Sequence, residues 1–286
     1  MKILLTGVSG QVGYELERSL QGLGQVLALD RGQCDLARPD QVAEVVRRVR
    51  PDWIVNPAAY TAVDKAESER DLAFTINADS VGVLAREAKA IGATLVHYST
   101  DYVFDGTKQG AYVEDDATNP LNVYGASKLA GEQAIAASGV PHLIFRTSWV
   151  YGRRGKNFLL TMQRLGREKD RLRVVADQHG APTWSRTIAD TTAHVLAQAR
   201  AAGPLWWERH SGIYHLSARG QTTWCDFTRA IFEESGISCQ VDPIATADYP
   251  TPAHRPANSV MDASKLTSSL CELPNWRLAL HLCVKD

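Results

Sequence analysis

Tyr124 and Lys128 place a phenol and an ammonium four residues apart, in the stretch Tyr124-Gly-Ala-Ser-Lys128. On a helix that spacing puts both groups on one face. A free tyrosine, with a pKa of about 10, is a poor acid at neutral pH. A neighbouring cation favours the phenolate and brings the group toward a range useful for proton transfer. Upstream, an apolar run that includes His97 passes directly into Ser99-Thr100-Asp101-Tyr102. A hydroxyl delivered from a strand end, Thr100, can share a substrate oxygen with the phenol. A tyrosine and lysine at this spacing also occur by chance on surface helices, so the elements around them have to justify the chemistry.

Those elements begin at the first residues. Residues 2–6 read as a short buried strand, followed by Gly7-Val-Ser-Gly-Gln-Val-Gly13 and a helix over 11–20 with Val12, Leu16 and Leu20 on one face. Strand, glycine turn and helix together form a dinucleotide-binding unit. Gly7 permits the tight turn, Gly10 lets the backbone approach a pyrophosphate, and Gly13 lets helix and strand pack closely. The spacing is GxxGxxG rather than the usual GxGxxG. A second strand over 25–29 ends in Asp30-Arg31. The acid suits the ribose hydroxyls of NAD and the arginine suits the 2′-phosphate of NADP, which leaves the cofactor open. Asp35 reads as a loop residue or an adenine contact.

Further strands are expected over 53–56, 94–98 and 142–147, with helices over 39–49, 72–91 and from Tyr124 to about 137. Pro57-Ala-Ala-Tyr-Thr61 supplies small residues where a cofactor passes near backbone. Thr100 and Asp101 stand past a strand end, where open parallel sheets bind ligands. The alternation implies right-handed crossovers and a parallel sheet. Beyond Gly152 the rhythm changes to helices over 157–165, 187–200 and 222–234, short strands over 172–176 and 213–217, and a rigid Pro-rich loop over 249–256. The expected fold is α/β, a Rossmann-like doubly wound parallel sheet with a smaller C-terminal α/β substrate-binding cap. Residues 1–152, rejoined by about 184–217, would bind the dinucleotide. Residues 153–183 and 218–286 would form the cap.

With 31 basic and 32 acidic residues, the net charge of −1 gives no electrostatic case for nucleic acid or an anionic membrane as partner. Five cysteines without a CxxC pair fit a reduced, cytoplasmic chain with no zinc site. The N-terminal apolar run is too short for a signal segment, and no stretch is long enough to span a bilayer. Trp149, past a strand end, can stack on a sugar or serve as core. Arg255 can clamp a phosphate or simply be solvated. Trp206, Trp207 and Trp224 read as packing anchors, His97 as a satisfied sheet residue, and Asp64 and Glu67 as a solvated helix start.

Taken in order, the motifs resemble the extended short-chain dehydrogenase/reductase superfamily and, within it, the dTDP-4-dehydrorhamnose reductases. The resemblance rests on the glycine turn, Asn56-Pro-Ala-Ala-Tyr-Thr-Ala-Val-Asp64, Ser99-Thr-Asp-Tyr-Val-Phe-Asp-Gly106 and Pro120-Leu-Asn-Val-Tyr-Gly-Ala-Ser-Lys128. It is extended by Arg146-Thr-Ser-Trp-Val-Tyr-Gly152, Asp177-Gln-His-Gly-Ala-Pro-Thr183 and Arg255-Pro-Ala-Asn-Ser259. It implies Tyr124 as proton donor, Lys128 as its electrostatic partner and ribose ligand, and Thr100 as a hydrogen-bond partner of the reacting oxygen. Thr100, Asp101, Tyr124, Lys128, Trp149 and Arg255 would meet substrate. Gly7, Gly10, Gln11, Val12 and Gly13, then Asp30, Arg31, Asp35 and Leu36, would hold cofactor together with Ala59, Tyr60, Thr61, Tyr98, Tyr124 and Lys128. The implied reaction is NADPH- or NADH-dependent reduction of the C4 keto group of dTDP-4-dehydro-6-deoxy-L-mannose to dTDP-L-rhamnose, the last step in making that sugar nucleotide. Alternatives are a nucleotide-sugar epimerase or dehydratase with bound NAD, and a non-catalytic nucleotide-binding regulatory subunit. Dehydratases of the superfamily carry Thr-Asp-Glu where this chain has Thr100-Asp101-Tyr102, which favours reduction. Some relatives bridge a dimer through Mg2+. Glu15 matches one ligand, but Arg186 stands at the other position and cannot ligate a cation. The expectation is therefore a monomer or weak homodimer.

Overall fold

The computed structural model describes residues 1–286. Strand β1 (Lys2–Leu5) leads through the glycine turn into α1 (Gln11–Ser19), followed by β2 (Gln25–Ala28), α2 (Pro39–Val49) and β3 (Trp53–Asn56). A short α3 (Val63–Ala66) precedes a single rod made of α4 (Arg70–Phe74), a π-helical turn (Thr75–Asp79) and α5 (Ser80–Ile91). Then come β4 (Thr94–Thr100), α6 (Val123–Ser138), β5 (His142–Thr147) and β6 (Val150–Tyr151). The remainder is α7 (Phe158–Glu168), β7 (Arg171–Val175), β8 (His179–Gly180), β9 (Thr183–Trp184), α8 (Ser185–Ala202), α9 (Pro204–His210) and β10 (Gly212–His215). It closes with β11 (Thr222–Thr223), α10 (Trp224–Ser235), β12 (Gln240–Ile244), α11 (Ser264–Ser269) and α12 (Trp276–Lys285). No helix is long and apolar enough to cross a membrane.

Six parallel strands form the central sheet in the order β10-β5-β4-β3-β1-β2. The chain moves outward from β1 to β2 and then returns to β3 on the other side of β1. That reversal opens a crevice at the carboxyl ends of β1 and β3. The inner strands are buried on both faces, which is why they read as near-continuous apolar runs. One apolar layer, with Leu16, Leu20, Ile188 and Leu196, seats α1 and α8 on the sheet. The other, with Val42, Val46, Leu84 and Ile135, seats α2, α5 and α6. A third cluster, around Leu159, Leu172, Phe227, Ile231 and Leu280, packs α7, β7, α10 and α12 together.

The expected elements of the first 147 residues are present within a residue or two, with two refinements. Strand β4 runs on to Thr100, so this hydroxyl belongs to the strand's last residue. The helix expected over 72–91 is interrupted by the π turn, which frees the Asn77 side chain to bind both backbone groups of Tyr60, at 2.9 and 3.0 Å. Several elements have no counterpart in the sequence reading, among them α9, α11, β12 and the two-residue strands β6, β8, β9 and β11. Strand β12 pairs in parallel with β7 despite Pro243, as an edge position allows. Trp206 and Trp207, on α9, are buried as expected of packing anchors.

Helix α6 is capped at both ends. Asn122 accepts from the Gly125 N–H, and Gly139 closes the helix in the left-handed region. Its inner face carries Glu132, whose carboxylate takes two hydrogen bonds from Arg146 of β5, at 3.0 and 2.7 Å, with both side chains 3% exposed. Removing one partner of such a pair strands a charge in the core. Arg146→Met is expected to lower the unfolding free energy by about 3–5 kcal/mol, read as a reduced urea midpoint. The double variant Glu132→Leu with Arg146→Met should be more stable than either single variant.

Candidate active site

A cavity of about 720 Å³ opens at the carboxyl ends of β1, β3, β4 and β5. Its volume suits a ligand larger than a simple metabolite. Gly7, Gly10, Gln11, Val12 and Gly13 form one wall, at the N-terminus of α1. Gly7 adopts φ +61°, and a side chain there would collide with Ala58. A Cβ on Gly13 would stand 2.2 Å from the Gly7 carbonyl oxygen. The turn is therefore as tight as the glycines allow, and the free N–H groups of α1 face the cavity, an arrangement suited to phosphate.

Arg31, Asp35 and Leu36 line the end of the cavity beyond β2. The Arg31 guanidinium lies 3.3 Å from the Asp35 carboxylate and is largely exposed. Asp30 does not reach the wall. It is exposed, and its carboxylate is folded back onto the Gln33 N–H at 3.1 Å. Ala59 and Thr61 line the wall, while the Tyr60 side chain turns away to donate to Glu69 at 2.6 Å. Tyr98 borders the cavity with its hydroxyl tied to Thr192 at 2.8 Å.

The structure brings Thr100, Asp101, Tyr124, Lys128 and Trp149 to one end of this cavity. Burial pushes the Tyr124 phenol up to about 12; the facing Thr100 hydroxyl opposes the shift and the Asp101 charge adds to it. The expected lowering by Lys128 is not in force in this state. The Lys128 ammonium is 2% exposed and points instead at His97 Nε2, 3.2 Å away. Burial brings Lys128 down to about 8, against the attraction of Glu132 one turn along. His97 Nδ1 lies 3.1 Å from the Asn56 side-chain amide, whose other arm is 2.6 Å from Thr6 Oγ1. His97 is thus a satisfied sheet residue, as expected, but it also touches the ammonium. Tyr102 packs its ring edge-on against Tyr124, with centroids 5.8 Å apart.

Four residues take places other than those expected. Arg255 does not line the cavity; its guanidinium binds the Asp64 carboxylate at 2.9 Å. Asp64 is correspondingly not a solvated helix start, and Glu67 accepts the Val123 N–H at the start of α6, 2.9 Å away. Trp224 is more than a packing anchor. It lines the cavity and stacks on Trp149, with centroids 3.5 Å and planes 6° apart. Trp149 itself holds φ +47°, a strained value for a bulky residue. Its indole is boxed in by Trp224 and by Gly180, where a Cβ would come within 2.4 Å of the ring. Asn157 was not anticipated. It caps α7 and donates to Gln11 at 2.9 Å, joining the glycine wall to the C-terminal half. A lone asparagine before a helix announces a cap, but not its partner 146 residues away.

Glu15 is nearly buried and lies 3.4 Å from the Arg186 guanidinium, which also binds Asp286 at 2.8 Å. A guanidinium in that position does not fit a cation site.

Asp101 is 3% exposed, accepts from Thr100 at 2.9 Å, and has one oxygen without a partner. Burial raises its carboxyl to about 6, opposed by hydrogen bonds from Ser259 and Thr100. A carboxyl held above its unfolded value leaves the folded state binding more protons, so its contribution is favourable in acid and is lost as pH rises through about 6. Asp101→Asn should therefore raise the denaturation midpoint at pH 8 and change it little at pH 4, as read by urea titration at both values.

Comparison with known proteins agrees with this geometry. The family model described as the RmlD substrate binding domain matches residues 1–286. A dTDP-4-dehydrorhamnose reductase of Burkholderia thailandensis is 52% identical, covering 100% of this chain and 99% of its own. The crystal structure of a dTDP-4-dehydrorhamnose reductase from Clostridium acetobutylicum superposes with a TM-score of 0.91 at 37% identity, over 100% of this chain and 99% of that one. One from Bacillus anthracis, solved in complex with NADP, gives a TM-score of 0.90 at 36% identity, over 99% and 98%. With its sheet, cavity and full-length match in accord, the chain belongs to the RmlD substrate binding domain family.

Proposed function

We propose that this protein reduces the C4 keto group of dTDP-4-dehydro-6-deoxy-L-mannose to dTDP-L-rhamnose with a nicotinamide cofactor, in the cytoplasm, as a monomer or weak homodimer. The observation that carries the reading is the meeting of Thr100, Tyr124 and Lys128 at one end of the cavity that also contains the glycine turn. The relatives named for this reaction support the choice of substrate. Residues 1–152 with about 184–217 would bind the cofactor, and 153–183 with 218–286 would bind the sugar nucleotide.

Gly10, Gln11, Val12 and the first turn of α1 would hold the pyrophosphate, with Ala59 and Thr61 along the cofactor's flank. When bound, the cofactor supplies the hydride to the carbonyl carbon. Tyr124 gives its proton to the carbonyl oxygen, and Thr100 donates a hydrogen bond to the same atom as charge develops there. Lys128 supplies the positive field that makes the phenol a better acid once the site is filled. Trp149, stacked on Trp224, and Asp101 would border the sugar nucleotide at the same end of the cavity. Tyr102, ring against ring with Tyr124, leaves no second carboxylate for elimination chemistry.

Two measurements test the reading. Tyr124→Phe should keep cofactor affinity and lose roughly 10²- to 10⁴-fold in turnover, followed by nicotinamide absorbance with the dTDP-4-keto sugar. Parent-like turnover in that variant would sink the mechanism. Since Arg31 lines the cavity and Asp30 turns away from it, the 2′-phosphate of NADPH is the better fit. Arg31→Ala is expected to raise the KM for NADPH about tenfold or more while leaving that for NADH unchanged. Equal effects on both cofactors would show that Arg31 does not read the phosphate.

A further inference from the structure

We propose that His97 is a positioning residue for Lys128, accepting a hydrogen bond from the ammonium at a bare Nε2 while its Nδ1–H is fixed by Asn56. The inference deepens the proposed reduction and rests on it for the role of Lys128.

An ammonium has donors and no acceptor. The atom 3.2 Å from Lys128 Nζ is His97 Nε2, so that nitrogen must carry the lone pair. His97 is 0% exposed, and both its burial and the Lys128 charge hold its pKa well below the usual value, so the ring is neutral. A neutral imidazole with a bare Nε2 carries its proton on Nδ1. Nδ1–H then needs an acceptor, and the group 3.1 Å away is the Asn56 amide. In the structure the amide turns Nδ2 toward the ring and its Oδ1 accepts from Thr6 Oγ1 at 2.6 Å. Amide oxygen and nitrogen are alike in shape, and a bare Nε2 on His97 requires the reverse placement, with the oxygen toward the ring. Thr6 and Asn56 are both 0% exposed. The chain Thr6–Asn56–His97–Lys128 thus runs from the residue after β1 through β3 and β4 to α6, with every member at most 2% exposed.

The arrangement matters because Lys128 has no carboxylate partner. Glu132, one turn along α6, already holds Arg146 of β5 through both its oxygens. Of the titratable and charged groups around the ammonium, Glu132 acts on it at a distance and His97 touches it. The imidazole lone pair therefore stabilises the charged form and fixes its direction before any cofactor arrives. A lysine already ordered loses no side-chain freedom on binding. The sequence reading saw His97 only as a sheet residue because its alternation with its neighbours does not reveal what faces it.

The first measurement is on the unmodified protein. Two-bond 1H–15N spectra are expected to show one imidazole with Nδ1 protonated and Nε2 bare between pH 6 and 8. Protonated Nε2 on His97 would overturn the proposal, because the lysine would then have to be a neutral amine. The second uses variants. His97→Leu should lower kcat roughly ten- to hundred-fold, the scale of a lost hydrogen bond to a charged group, with KM for the sugar nucleotide unchanged. It should also move the basic limb of the pH–rate profile below the value of about 8 expected from Lys128. His97→Gln, whose amide oxygen reaches the place of Nε2, should restore both. A parent-like kcat and basic limb in His97→Leu, or a Gln variant no better than Leu, would overturn the proposal. Absence of turnover in the parent would instead defeat the functional reading and leave the spectroscopic result to stand on its own.

Discussion

The site depends on how closely α6 approaches its neighbours. A Cβ on Gly125 would stand 2.2 Å from the Tyr102 carbonyl oxygen, and one on Gly131 would stand 2.2 Å from that of Asn77. No other residue permits either contact. Between these points lie Ser127 and Lys128, both buried, and Ser127 accepts from the Asn77 amide at 3.0 Å. The Glu132–Arg146 pair then ties the same face to β5. The helix cannot rotate or slide without breaking one of these contacts. The Tyr124 and Lys128 side chains therefore inherit a fixed position relative to Thr100, the last residue of β4. Rigid elements hold a catalytic arrangement more exactly than loops do.

That rigidity brings ionisable groups out of water. Desolvation is the largest influence on Tyr124, Lys128, His97 and Asp101 alike. It opposes charge on each of them, and the specific contacts decide what remains. Lys128 keeps a useful positive charge because an imidazole lone pair and a more distant carboxylate favour it. The Asp101 carboxyl has hydrogen bonds at one oxygen and none at the other, so its ionised form is poorly supported. Tyr124 stays fully protonated, the state a proton donor needs at the start of a reduction. In the proposed reduction the free site would thus be poised with its donor loaded.

The framework was legible in the sequence where local chemistry determined it. Strands β3 and β5 could be bounded to the residue because a strand buried on both faces is a short apolar run between polar turns. Helix α2 begins at Pro39, which pre-sets the first turn, so its start was equally plain. The glycine wall followed from spacing. What escaped was decided by contacts between distant segments. Arg255 read as a phosphate clamp and Asp64 as a solvated acid, yet they are partners across 191 residues. Trp224 read as core because nothing in its neighbourhood announces a stack on Trp149. Strand β12, half exposed and containing a proline, carries neither the apolar run nor the clean alternation of a strand. The proposed pairing of Tyr124 with Lys128 came from ordered motifs, whereas the direction in which Lys128 points needed coordinates.

Two of those long-range contacts, Asn157 to Gln11 and Trp224 on Trp149, lie in the cavity wall. Arg255 to Asp64 and Asn122 to the His254 carbonyl at 2.8 Å also tie the C-terminal half to the first. The C-terminal half is thus joined to the first by these contacts as well as by the apolar layer that seats α8 and α11 on the sheet. These four contacts are polar or stacked, and a separate apolar cluster lies around α7, α10 and α12. Polar and stacking contacts can be exchanged for those of a ligand at little net cost, because the groups released are satisfied again by the ligand. A continuous apolar seam could not be exchanged in this way, since opening it exposes surface to water. The strained backbone of Trp149 sits at the centre of these contacts, held by Gly180 beneath and Trp224 above. The stack of Trp224 on Trp149 and the bond from Asn157 to Gln11 are consequently both cavity wall and ties between distant segments.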